Sequence, residues 1–221
     1  MTIDEVYNWE IITKLDHEKR YLIDYANLID NLFIPQNNFL NEKNYNIFLK
    51  KPCLGMPFLL PENDKHFKFI KKDASSFKVN NEELANKLFN TSKKNYLGVK
   101  LMTLKGNIFN NDFILKKKYK NLVNDINKFN NVTKQLVKLN HKKKYKIAAF
   151  QTRNIPHIGH QKIIEFLLDK FDRVIINPVL GPKKKNDIKN DVLRESWQFL
   201  INNVYGEKLK FWPIIANMFY G

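Results

Sequence analysis

Ten consecutive residues, Gln151-Thr152-Arg153-Asn154-Ile155-Pro156-His157-Ile158-Gly159-His160, hold the side chains of this chain best suited to chemistry. Arg153 offers a planar fork of donors that fits a tetrahedral oxyanion. Gln151 and Asn154 add neutral donors on the same short stretch. His157 and His160 stand three apart, so on a helix they share one face of its first turn. Imidazole N–H groups there can donate to phosphate oxygens as charge builds in a transition state. Two other readings compete for the histidines. They can be ordinary polar residues at a helix start. They can be metal ligands, but no second His/Cys/Asp cluster stands nearby in the sequence.

The flanking residues predict the elements that hold this segment. Ile147-Ala148-Ala149-Phe150 reads as a short buried strand within Lys146–Gln151, and Pro156 marks a polar loop. A helix over Gly159–Lys170 follows, with Ile163, Ile164, Phe166, Leu167 and Leu168 on its apolar side. Strand, loop and helix N-terminus is how α/β domains hold phosphates, because free amide N–H groups and the helix dipole favour negative charge. The alternation continues with a strand over Arg173–Asn177, a loop containing Gly181 and Pro182, and a helix over about Lys189–Val204. Val192, Leu193, Trp197, Leu200, Ile201 and Val204 form the expected buried stripe of that helix, and a strand over Lys208–Trp212 closes the series. This β-α-β-α-β order predicts half of a parallel, doubly wound, Rossmann-like sheet.

The region before it predicts a mixture of α and β. Val6–Thr13 fits either a strand or a helix. Helical spacing covers Asp24–Leu32 and Asn41–Leu49, and Asn81–Phe89 reads as a helix with Leu84, Leu88 and Phe89 inward. Phe58-Leu59-Leu60 and Phe67–Ile70 read as extended pieces. Val99–Leu104 and Asn107–Leu115 predict two strands joined at Lys105-Gly106. Thr133 is placed to cap a short helix through Leu139. The basic stretch His141–Lys144 marks the boundary between residues 1–140 and 141–221.

Composition bounds the function classes. With 221 residues, 43% of them hydrophobic, the chain has enough apolar matter for a packed core without staples. The one cysteine, Cys53, excludes an internal disulfide and a multi-cysteine zinc site. No apolar run approaches the roughly 20 residues of a membrane span, and the first residues are polar, so the expectation is a cytoplasmic protein without a membrane partner. The net charge of +16 suits polyanions or small anionic substrates. Its lysine runs are short (Lys116–Lys118, Lys142–Lys144, Lys183–Lys185) and lack interleaved aromatics, so a nucleic-acid partner is the secondary reading.

The His-Ile-Gly-His tetrad alone fits the nucleotidyl-transferring α/β superfamily, which includes class I aminoacyl-tRNA synthetases and small adenylyltransferases. Its neighbours are more selective. Gln151-Thr152-Arg153-Asn154, Pro156, His157 and His160 are followed by Asn177-Pro178, Gly181, Lys184, Asp187-Ile188, Arg194, Ala216, Met218 and Tyr220. Together these resemble the ATP sulfurylase (sulfate adenylyltransferase) family. Leu32–Pro35 with Asn38–Leu40 and Tyr45, and Leu88–Thr91 with Leu97–Val99, resemble its N-terminal elements more weakly. Asn177 stands where the family usually has His, Lys134 where it often has Pro, and Phe219 where many members have Arg.

The resemblance implies an N-terminal PUA-like domain over 1–140 and a catalytic α/β domain of the HUP class over 141–221. It implies the reaction ATP plus sulfate to adenosine 5′-phosphosulfate plus pyrophosphate, with magnesium accompanying the nucleotide. Sulfate maps onto Gln151 and Arg153. Thr152, Arg153 and Asn154 match the family's active-site loop, His157 and His160 the residues that steady the phosphates, and Ala216 is counted with Gln151, Arg153, Asn154, His157 and His160 among the residues that bind sulfate or ATP. Lys183–Lys185 can assist phosphate binding or form a solvated loop, and Asp187 reads as a turn or cap residue. Relative to the family pattern the sequence stops at Gly221, inside the loop after the third strand. The expectation is therefore a fragment, a homo-oligomer, or a partner chain that supplies the rest of the sheet, with little turnover by the chain alone. The alternative is a non-catalytic basic module that binds RNA or anions.

Overall fold

The computed structural model describes residues 7–34, 36–51, 57–70, 76–93, 96, 99, 108–140, 145–183 and 186–217, with the backbone alone at 132–140. The helices are α1 (Glu10–Thr13), α2 (Arg20–Ile29), α3 (Glu42–Lys50), α4 (Asn81–Phe89), α5 (Lys120–Asn140), α6 (Ile158–Leu168) and α7 (Asn190–Leu200). The strands are β1 (Phe67–Phe69), β2 (Ser76–Lys78), β3 (Ile108–Asn110), β4 (Phe113–Leu115), β5 (Ile147–Thr152), β6 (Arg173–Leu180), β7 (Leu209–Phe211) and β8 (Ile214–Ile215). Packing divides the chain into two compact units, one of residues up to Arg20 with Asp125–Asn217, the other built on Tyr21–Asn124.

The Tyr21–Asn124 unit mixes helices with two antiparallel strand pairs, β1 with β4 and β2 with β3. Asn41 caps α3 by accepting the Asn44 N–H at 2.8 Å, and Asn80 caps α4 in the same way. The core gathers Tyr45, Phe48, Leu59, Phe77, Leu84 and Phe109. Leu84 lies inside as its spacing predicts, while Leu88 and Phe89 pack at the margin of that core. The strand expected over Asn107–Leu115 is instead two strands in two sheets. The Asp112 N–H turns back onto the Asn110 side chain at 2.7 Å, and that local bond breaks the ladder. β2 carries no expectation from the sequence, and the joint at Lys105-Gly106 lies outside the described residues.

In the other unit, β5, β6 and β7 form a parallel sheet in that order, with β8 also paired to β6. The parallel α/β class is as expected, and β6 is the central strand. β6 runs on to Leu180 where Asn177 was the expected end, because Val179 and Leu180 pair with β8. The short helix expected to start at Thr133 does not begin there: α5 is one helix through that position. Ile126, Phe129 and Asn130 are buried at helical spacing, and this burial outweighs the weak helix propensity of its asparagines. On α7, Leu193, Trp197 and Leu200 are buried, and Ile201 follows them inward. Val192 and Val204 are exposed, as are Ile163 and Phe166 on α6, so both helices bury narrower stripes than their composition suggested. The expected boundary at His141–Lys144 lies outside the described residues. Among the described residues no helix is long and apolar enough to cross a membrane.

Candidate functional site: an anion loop at the end of a parallel strand

β5 and β6 pair in register from Ile147↔Arg173 to Thr152↔Pro178, so the loops that leave them open at the same end of the sheet. The loop after β5 is held from within and from behind. The Asn154 N–H donates to Thr152 Oγ1 at 3.1 Å, closing a turn around Arg153. The Trp197 indole N–H donates to the Asn154 carbonyl at 2.8 Å from the buried face of α7. Thr152 is buried, while Gln151, Arg153 and Asn154 are exposed, so the turn presents the polar side chains to solvent. Trp197 was expected as core. Its N–H is what makes it a support of the loop, and no spacing rule in the sequence announces that bond.

The two histidines are fixed differently. His157 is the N-cap of α6, and its Nδ1 accepts the Gly159 N–H at 3.1 Å. A Cβ on Gly159 would lie 3.0 Å from the His157 ring, so glycine gives that ring its room. With Nδ1 accepting, the neutral His157 carries its proton on Nε2 and presents a donor. His160 is buried, and its Nδ1 lies 3.1 Å from the Ile155 carbonyl, to which it donates. Neutral His160 therefore presents a bare Nε2 and becomes a second donor only when protonated. The rings stack at 3.8 Å between centroids, and Trp197 and Phe150 flank His160. Burial first, then the neighbouring His157, lowers the basicity of His160, while the Ile155 carbonyl opposes them.

Ala216 sits on a neighbouring wall. Its N–H donates to the Leu180 carbonyl at 2.9 Å, and its own carbonyl lies where a Cβ on Gly181 would come within 2.4 Å. Gly181 is therefore needed for close backbone approach. Asn130 braces the same segment: it donates from Nδ2 to the Ile215 carbonyl at 3.0 Å and accepts the Ile215 N–H at 2.8 Å. Asn177 donates to the Trp212 carbonyl at 2.6 Å, tying β6 to the end of β7. Lys184, Met218, Phe219 and Tyr220 lie outside the described residues. Among the described residues no group of three or more His, Cys, Asp or Glu is placed to hold a metal ion.

A polar loop and paired histidines thus stand at the end of β5, whose one strand neighbour among the described residues is β6. Residues 127–221 match the sequence model described as ATP-sulfurylase. The chain is similar to a sulfate adenylyltransferase of Thermococcus onnurineus, 46% identical over 59 residues, which is 27% of this chain and 16% of that protein. A Pyrococcus abyssi sulfate adenylyltransferase is 42% identical over 59 residues, with the same coverage of 27% and 16%. A Persephonella marina sulfate adenylyltransferase is 28% identical over 228 aligned positions, covering 91% of this chain and 59% of that protein. The match thus spans well under two thirds of each relative.

Proposed function

We propose that this chain provides the oxyanion-binding side of a sulfate adenylyltransferase, which converts ATP and sulfate to adenosine 5′-phosphosulfate and pyrophosphate. The observation that carries the reading is the stacked His157–His160 pair at the start of α6, directly after the buttressed Gln151–Asn154 turn. Sulfate is held by Gln151 and Arg153. One of its oxygens forms the new bond to the α-phosphorus, the bond from that phosphorus to the bridging oxygen breaks, and pyrophosphate leaves with the electron pair. No base is needed, because sulfate is already fully ionised. The protein's task is to position the reactants and stabilise charge.

His157 Nε2–H donates to phosphate oxygen in its neutral form, and His160 adds a donor when it takes up a proton. Thr152 and Asn154 shape the turn, and Ala216 offers backbone to the nucleotide. Magnesium bound to ATP would supply neutralisation of the phosphate charge. A PUA-like domain over 1–140 follows from the same resemblance, and a cytoplasmic location is the reading of the composition. β5 has β6 as its one strand neighbour among the described residues, and a second copy or a partner chain is the proposed occupant of its other edge.

Sulfate-dependent ATP–pyrophosphate exchange tests the reading. Exchange that disappears in Arg153→Ala supports it. A second reading, a basic module that binds anions without turnover, is favoured by the net charge of +16. It is distinguished by pyrophosphate or RNA binding, in the absence of exchange, that weakens steeply with salt.

A further inference from the structure

A cavity of about 650 Å³ lies within the unit that carries the parallel sheet, and the anion loop does not line it. Trp9, Ile12 and Leu15 form an apolar wall, and Gly181, Lys183, Asn190 and Arg194 stand among the residues of the other side. That volume exceeds what one inorganic ion fills and falls in the range of small organic ligands. The walls are tied together: His17 Nε2 donates to the Lys183 carbonyl at 2.9 Å, and Asn190 Nδ2 donates to the Gly181 carbonyl at 3.0 Å. The Arg194 guanidinium lies over the Trp9 ring, 4.8 Å from its centroid.

Lys183, Lys189 and Arg194 line the cavity together with four acids, and Arg194 is itself paired with Glu195 at 3.1 Å. Of the acids at the rim, Glu10 is paired with Lys14 at 3.0 Å and Asp16 with Lys19 at 2.6 Å. Asp187 also has a partner, and Asp191 is exposed on the first turn of α7. The Lys183 ammonium makes no ion pair within 4.0 Å to a described residue. The N-cap of α7, Lys189, has no capping side chain, so the positive end of that helix also faces this space. Burial weakens the basicity of Lys183, Arg153 adds to the effect, and Asp187 opposes it.

We propose that this cavity is a second ligand site, distinct from the anion loop, that takes an organic carboxylate. The carboxylate sits against Lys183, and the apolar body lies along Trp9, Ile12 and Leu15. This assignment stands independently of the sulfate adenylyltransferase reading.

Calorimetric titration with 1-naphthoate tests it, with 1-naphthylamine as the uncharged analogue and variants checked for folding by circular dichroism. The expected result is saturable 1-naphthoate binding that is weakened about tenfold or more in Lys183→Met. Arg153→Met should retain that binding, and Leu15→Glu should lose it by placing a charge on the apolar wall. No saturable binding by the folded wild-type chain overturns the proposal. So does equal binding of 1-naphthylamine, which would make the cavity merely apolar. Equal weakening by Arg153→Met and Lys183→Met also overturns it, because the carboxylate would then belong to the anion loop. Loss of sulfate-dependent exchange in Arg153→Ala bears on the loop alone, so the two readings fail separately.

Discussion

The indole N–H of Trp197 reaches across 43 positions of sequence to the carbonyl of Asn154, at 2.8 Å. One helix thereby holds the turn that precedes another. The bond makes loop geometry depend on a core residue, and it separates positioning from bulk packing in a way that mutation can read.

Trp197→Phe keeps an aromatic ring but removes the donor and leaves the Asn154 carbonyl without its indole partner. We expect a stability loss of about 1–3 kcal/mol by urea unfolding. Sulfate or pyrophosphate affinity should fall as well, because Arg153 is no longer held by a closed turn. Unchanged affinity in the folded variant would mean that the turn holds itself through Thr152.

His160 is less basic in the fold than an ordinary histidine, whose pKa is about 6.5. The unfolded chain therefore binds more protons near that value, and stability rises with pH there. The His160 contribution is fully present above about pH 6.5 and is lost as pH falls toward the lowered folded value. Pyrophosphate favours the protonated ring, so its binding should tighten over the same fall in pH. Urea unfolding and pyrophosphate titration calorimetry between pH 7.5 and 5.5, each against His160→Gln, check the two signs.

His157→Ala removes the cap of α6 as well as a donor to phosphate. Loss of the cap costs about 0.5–2 kcal/mol of stability. His157→Asn restores a capping oxygen, so it should recover most of the stability while the phosphate affinity stays low. Thermal unfolding with a parallel binding measurement separates the two roles.

Gly181→Ala places a methyl group 2.4 Å from the Ala216 carbonyl, which is backbone and cannot rotate away. The segment must shift, at a cost of about 1–3 kcal/mol. Amide exchange should quicken at Ile215 and Ala216 before it does at β5. Protection unchanged at Ala216 would show that the close approach is dispensable.

Asn130→Leu leaves both polar groups of buried Ile215 without their side-chain partner. Losing two hydrogen bonds to buried backbone groups costs about 1–3 kcal/mol, so this should rank among the more destabilising of these changes. Urea unfolding ranks them, and a cost below about 1 kcal/mol would show that water replaces the carboxamide.

Local pattern alone reached much of this protein. Period and breakers located the strand–loop–helix around Gln151–His160, the parallel class of the sheet, the helices at Asn41 and Asn81, and the residues that carry the family resemblance. These features depend on neighbours a few positions apart, and a sequence states such neighbours outright. Tertiary structure decided the rest. It ran α5 through Thr133, because Ile126 and Phe129 had a core to bury in. It split Asn107–Leu115 between two sheets, and it carried β6 past Asn177 because β8 supplied a partner. It made Trp197 and Asn130 braces of loops far from them in sequence, and it enclosed the cavity between Trp9 and Lys183. Each of these is a contact between distant segments. Its energy comes from burial and from satisfying backbone groups, and neither exists until the chain has folded.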